Sequence, residues 1–216
     1  MTLLVVGLFV FLSAHSIRIF GEPMRAVLIA RLGALGYKAL YSLVSLVGLI
    51  LLIKGYAMAR EQPLALWTAW APGRHVAALL SLVAFILVVA AYVPGNRLKA
   101  RLRHPMVLGV KVWAAGHLLA NHTLADAVLF GGLLVWAVLD FRAARARDRA
   151  AVALPPTTGD NQPMGVTALG KAGPATGWFQ AKPLLADLLV LVVALAAYWA
   201  FAFHLHASWI GVRPFG

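Results

Sequence analysis

Apolar residues in this chain fall in long unbroken runs, neither alternating as in a half-buried strand nor spaced as on a one-sided helix. Runs approaching about 18 residues read as bilayer-spanning helices. With no water in the hydrocarbon, each span must close its own backbone hydrogen bonds, which selects helices over open strands. The runs predict about six spans, over 3–20, 39–53 with an extension to Met58, 76–93, 105–120, 124–139 and 184–206. The third stops at Pro94-Gly95-Asn96, a breaker cluster. Pro105 opens the fourth, where a missing N–H costs nothing. Thr123-Leu124-Ala125-Asp126 forms a capping box at the start of the fifth. Only Asn121-His122-Thr123 separates the fourth from the fifth, so the two make a short antiparallel hairpin. Gly109 and Gly116 share a face of the fourth, where small residues let helices approach closely. The expected fold class is all-α: a polytopic transmembrane helical bundle, one domain over 1–216.

The stretch 142–182 departs from this pattern. It opens with Arg142, Arg145, Arg147 and Arg149 and then becomes rich in Pro, Gly and Thr, which reads as a polar cytoplasmic loop within the domain. The start of the chain has no basic region before its apolar run and no small-residue cleavage site after His15-Ser16. It reads as a retained first span.

Composition agrees with a membrane class: 62% of residues are hydrophobic and 12% charged. The net charge of +12 would suggest nucleic acid in a soluble domain. Here the basic residues sit between spans, without the interleaved aromatics of a nucleic-acid face, so no nucleic-acid partner is expected. Their distribution sets orientation instead. Arg18, Arg25, Arg31, Lys38, Arg97, Lys99, Arg101, Arg103, Arg142, Arg145, Arg147, Arg149, Lys171 and Lys182 fall on one side. Lys54, Arg60, Arg74 and Arg213 fall on the other. The rich side is cytoplasmic by the positive-inside rule, so both termini are expected in the periplasm, with Trp67, Trp70 and Trp209 near the outer boundary.

The absence of cysteine excludes disulfides, thiolate metal sites, iron–sulfur clusters and covalently attached haem. Acids fall at span ends or in loops, so a carboxylate pair inside the bilayer is not expected. Histidines remain: His15, His75, His104, His117, His122, His204 and His206. His15 and His117 lie within apolar stretches, where an ionisable side chain either packs neutral against a neighbouring helix or serves function. Two histidines on different helices suit a non-covalent haem, whereas zinc would want more ligands.

Several motifs resemble the NnrU family of bacterial membrane proteins. They are Ala14-His15-Ser16-Ile17-Arg18, Tyr37-Lys38-Ala39-Leu40-Tyr41-Ser42-Leu43-Val44-Ser45, Ala91-Tyr92-Val93-Pro94 and Arg103-His104-Pro105-Met106. Trp113 with His117-Leu118-Leu119-Ala120-Asn121 belongs with them, as does His206 with Gly211-Val212 and Pro214. The resemblance covers nearly the whole chain except 142–182. It implies a bacterial inner-membrane protein associated with nitrite and nitric oxide reduction in denitrification. The same domain is similar to the plant 15-cis-zeta-carotene isomerases, which use haem b. That similarity implies haem b here, with iron held by His15 and His117; His104 stands in reserve on the depth argument below. It also implies a redox or isomerase-like role, with a hydrophobic small molecule or a membrane redox partner. A further histidine of the plant enzymes has no counterpart, because the chain reads Ile53-Lys54-Gly55-Tyr56 there.

Depth leaves other pairings open. Counted from the outer span ends, His15 lies roughly 18 Å deep and His117 roughly 6 Å. On depth alone His15 pairs with His104, or His117 with His204 or His206. Arg103-His104-Pro105 is also similar to a motif of isoprenylcysteine-type membrane methyltransferases, where it helps hold S-adenosylmethionine, but the acidic pair of those enzymes is reduced here to Asp148. A non-enzymatic assembly or regulatory factor with merely packed histidines is the remaining alternative.

Overall fold

A computed structural model of the chain describes residues 1–153 and 182–215. The described residues are helical throughout their ordered elements: α1 (Thr2–Phe20), α2 (Glu22–Ala59), α3 (Gly73–Tyr92), α4 (Arg97–Leu102), α5 (Pro105–Ala120), α6 (Leu124–Ala153) and α7 (Pro183–Ala200). A π-turn over Phe201–Leu205 then leads into α8 (His206–Ile210). Five helices are long and apolar enough to cross a membrane, and α5, with 16 residues, is apolar but shorter. This is a multi-pass, membrane-type helical protein.

Small residues set the packing. In hydrocarbon no hydrophobic force drives helices together, so close backbone approach and dispersion must do it. The buried positions are accordingly rich in alanine, including Ala77, Ala84, Ala90, Ala114, Ala137, Ala186 and Ala194. Large apolar side chains such as Phe9, Leu43, Leu79 and Val192 face outward. Along the antiparallel α1/α2 seam, Gly7 lies against the backbone of Leu52, Gly48 against Phe11 and Gly55 against Leu4. A Cβ on Gly48 would come within 2.7 Å of the Phe11 nitrogen. Across the α3/α5 seam, Gly109 meets the Ala84 carbonyl and Gly116 meets Leu80, so both glycines of the fourth run serve close approach as expected.

The helices follow one another in a row: α2, α1, α6, α5, α3, α7. Helix α6 bridges the two glycine-packed pairs, with Leu8 of α1 seated over Gly132 and Trp113 of α5 against Phe130 at 5.2 Å. At the far end Tyr198 of α7 donates to the Ala78 carbonyl of α3 at 3.0 Å.

Element ends follow their local chemistry. The expected capping box is present: Asp126 accepts from the Thr123 N–H at 2.9 Å, and the Asp126 N–H donates to the Thr123 hydroxyl at 3.3 Å. Asn96 caps α4 by accepting from the Lys99 N–H at 2.7 Å, while its amide donates to the Ala90 carbonyl at 2.8 Å. Arg103 adopts φ 62, a costly conformation for a side-chain-bearing residue, and so turns the chain sharply into Pro105 at the start of α5.

Two boundaries differ from the sequence reading. The interval between the first two runs is helical from Glu22 rather than a loop, interrupted only where Gly33 takes φ 71 and ψ 168. Met24, Ala26, Leu28, Ala30 and Leu32 favour helix, and interspersed arginines end a hydropathy window without ending a helix. Likewise α6 continues through Arg142, Arg145, Arg147 and Arg149 to Ala153, so the first part of the expected 142–182 loop is helix. The rest of that loop, 154–181, lies outside the described residues.

Candidate functional site

Helix α6 serves as a ruler for the three histidines singled out by sequence. His117 of α5 lies with its ring 4.7 Å from Phe130. His15 of α1 lies with its ring edge-on to Trp136 at 5.9 Å. His104, at the mouth of α5, lies between Phe141, whose ring is 6.3 Å away, and Asp148, to which its Nε2 donates at 3.0 Å. The first two levels are six residues apart on α6, or about 9 Å of helix rise. His15 and His117 therefore sit at different levels along α6.

His15 and His117 share one arrangement. Each spends its Nδ1–H on the backbone carbonyl one turn back, His15 on Phe11 at 2.8 Å and His117 on Trp113 at 2.9 Å. That fixes the tautomer and leaves Nε2 as a free lone pair, the form a metal-binding imidazole takes. Asn121, one turn beyond, donates to the carbonyl of His117 at 2.8 Å rather than to its ring. Aromatic rings enclose both imidazoles. Phe11 stacks on His15 at 4.2 Å and Tyr41 approaches at 5.3 Å, while Trp113 flanks His117 at 4.6 Å. His206 has the same tautomer, its Nδ1–H on the Val212 carbonyl at 2.7 Å. His104 differs, because its Nε2 is already engaged. His75 and His204 are exposed at helix ends.

At the basic end, Arg103 also reaches Asp148, at 3.6 Å. Desolvation acts to raise the Asp148 carboxyl, but the hydrogen bond and charge of His104 together with Arg103 outweigh it and hold that carboxyl below its ordinary range. Lys111, charged within an apolar run, places its ammonium over the Phe141 ring at 4.6 Å. Among the described residues no three histidines or acids cluster as a metal cage.

The family model described as NnrU protein matches residues 3–214. The chain belongs to the NnrU family. No curated protein and no solved structure matches it.

Sequence reasoning missed a buried polar contact between α2 and α6 in this NnrU chain. Asp126 was placed at a span end and given only a capping role. It is buried, and besides Thr123 it accepts a hydrogen bond from the Tyr56 hydroxyl of α2 at 2.5 Å. The signal was the i, i+7 spacing that puts Leu52 and Ala59 on the buried face of α2 with Tyr56 between them.

Proposed function

We propose that this NnrU-family chain is a six-span protein of the bacterial inner membrane that binds haem b, which His15 and His117 would hold. The observation that carries the reading is the matched pair of imidazoles, each with Nδ1 tied to its own helix and Nε2 open among aromatic rings. Phe11, Tyr41 and Trp136 around one, and Trp113 and Phe130 around the other, supply the dry, flat-walled surroundings that suit a macrocycle. When bound, the haem supplies one-electron chemistry, whose potential the axial ligands and dielectric set. A haem held by His15 and His117 would supply redox or isomerase-like chemistry, in keeping with a role in nitrogen-oxide metabolism.

Haem binding is preferred over S-adenosylmethionine-dependent methyl transfer because Arg103, His104 and the nearby acid Asp148 are spent on one another. It is preferred over a packed-histidine assembly factor because packing does not require two imidazoles on different helices that both spend Nδ1 on their own backbone. In the six-span arrangement α5 and α6 form the short hairpin, the basic helix ends are cytoplasmic and both termini are periplasmic.

Purification in detergent from haem-replete cells tests this reading. A Soret band is expected, with pigment extractable by acid acetone because no cysteine can hold it covalently. A colourless protein would overturn it. Reporter fusions after Arg101 and after Phe215 are expected to lie on opposite sides of the membrane.

A further inference from the structure

Helix α6 leaves one flank uncovered. It packs on α1 through Gly132, beneath Leu8, and through Trp136, against His15. It packs on α5 through Phe130 and Phe141. On the outer side run Gly131, Val135, Arg142, Arg145 and Arg149, spaced so that all share one face of the helix. Gly131 opens on empty space, and Val135 and the three arginines are exposed. The flank thus changes from apolar to basic at one level. Residues 124–141 of α6 rise about 27 Å, close to the hydrocarbon thickness of about 30 Å. Arg142 emerges at the hydrocarbon edge, with Arg145 about 4.5 Å and Arg149 about 10 Å further out, across the headgroup layer.

The nearby acids are engaged elsewhere. Asp148 pairs with Arg103 and His104, and Asp140 pairs with Arg147, whose guanidinium also reaches the Arg18 carbonyl on the α1 side. Arg142, Arg145 and Arg149 belong to none of these pairs, so the stripe is net positive. A fourth cation joins it. Lys111 sits nearly two turns inside α5, and because helix side chains lean toward the N-terminus, its stem leads back to the basic end. Its ammonium stands over the ring of Phe141, the residue before Arg142 and one turn before Arg145. A charge in an apolar run is costly and marks a functional site by default. We propose that this flank is a binding site for an anionic phospholipid of the leaflet at the basic end. The phosphate lies among Lys111, Arg142 and Arg145, and the acyl chains lie along Val135 and Gly131. A phospholipid carries the same step from apolar to charged as the flank does, whereas a soluble polyanion would match only the arginines. The site is independent of the haem reading.

The chain has no cysteine, so a single Val135→Cys carries a fluorescent bimane on the flank. The whole chain is reconstituted in phosphatidylcholine vesicles containing brominated phosphatidylglycerol or, in parallel, brominated phosphatidylcholine. Quenching reports how each lipid occupies the flank. Phosphatidylglycerol is expected to be favoured by about fivefold or more, the effect of at least one Lys or Arg beside an anionic headgroup. Arg142→Gln with Arg145→Gln and Arg149→Gln should bring the preference to within about twofold. Lys111→Met, which keeps an apolar stem, should give a value between. Arg18→Gln with Arg31→Gln and Lys38→Gln removes as much exposed charge from α1 and α2 at the same end and should leave the preference in place. Equal quenching by both lipids in the reference protein overturns the proposal. So does a preference that survives the α6 triple substitution, or one that both triple substitutions abolish alike, which is attraction to the basic end as a whole.

Discussion

The Tyr56 hydroxyl of α2 donates a 2.5 Å hydrogen bond to Asp126 in the first turn of α6, joining two helices that otherwise barely touch. Asp126 is 5% exposed, and its other bonds come from Thr123. Removing the phenol oxygen leaves a buried carboxyl short of a donor, so Tyr56→Phe is expected to destabilise the fold by about 1–3 kcal/mol. Asp126→Ala should cost at least as much, because it also removes half of the capping box. Unfolding in mixed micelles, run as a double-mutant cycle, measures the coupling. Additive single effects would show that the pair is not a tie.

The clasp between His104 and Asp148 depends on pH in one direction. Its neighbours hold the Asp148 carboxyl below its ordinary range in the folded protein. A carboxyl so held contributes stability above its unfolded value, about 4, and loses that contribution as pH falls through the folded value. Spin labels on α5 and on the last turns of α6 are expected to keep their separation at neutral pH and to move apart below about pH 4. In Asp148→Asn the acid-side step should vanish. A step of the same size in that variant would assign it to another group.

Glycine positions differ sharply in what they tolerate. A Cβ at Gly55 would run into the backbone of Leu4, whereas a Cβ at Gly131 meets nothing. Gly55→Ala is expected to destabilise by about 1–3 kcal/mol through forced separation of α1 and α2. Gly131→Ala should be neutral or stabilising by up to about 1 kcal/mol, since alanine is the better helix former. Equal effects of the two substitutions in the same unfolding assay would contradict the glycine-packed seam.

Much of this architecture was legible in the sequence because hydropathy and breakers act locally. Pro94-Gly95-Asn96, Pro105 and the Thr123 cap each fixed a helix end where expected. The helical stretches after Glu22 and after Arg142 were not legible, because charge changes a residue's solvent preference far more than its helix propensity. His15 and His117 stood out as ionisable residues in apolar runs. The engagement of His104 by Asp148 did not, since it joins residues 44 apart in the chain. The same limit hid the contact between Tyr56 and Asp126, which are 70 apart.

The central claim, that His15 and His117 hold haem through their free Nε2 atoms, is tested most directly by single alanine substitutions read by absorption and electron paramagnetic resonance. His15→Ala and His117→Ala are each expected to abolish the six-coordinate low-spin signal or to lose the haem. His104→Ala, whose Nε2 is spent on Asp148, and His75→Ala should leave the signal unchanged. A wild-type spectrum in His117→Ala together with its loss in His104→Ala or His206→Ala would contradict the assignment and redraw the ligand pair.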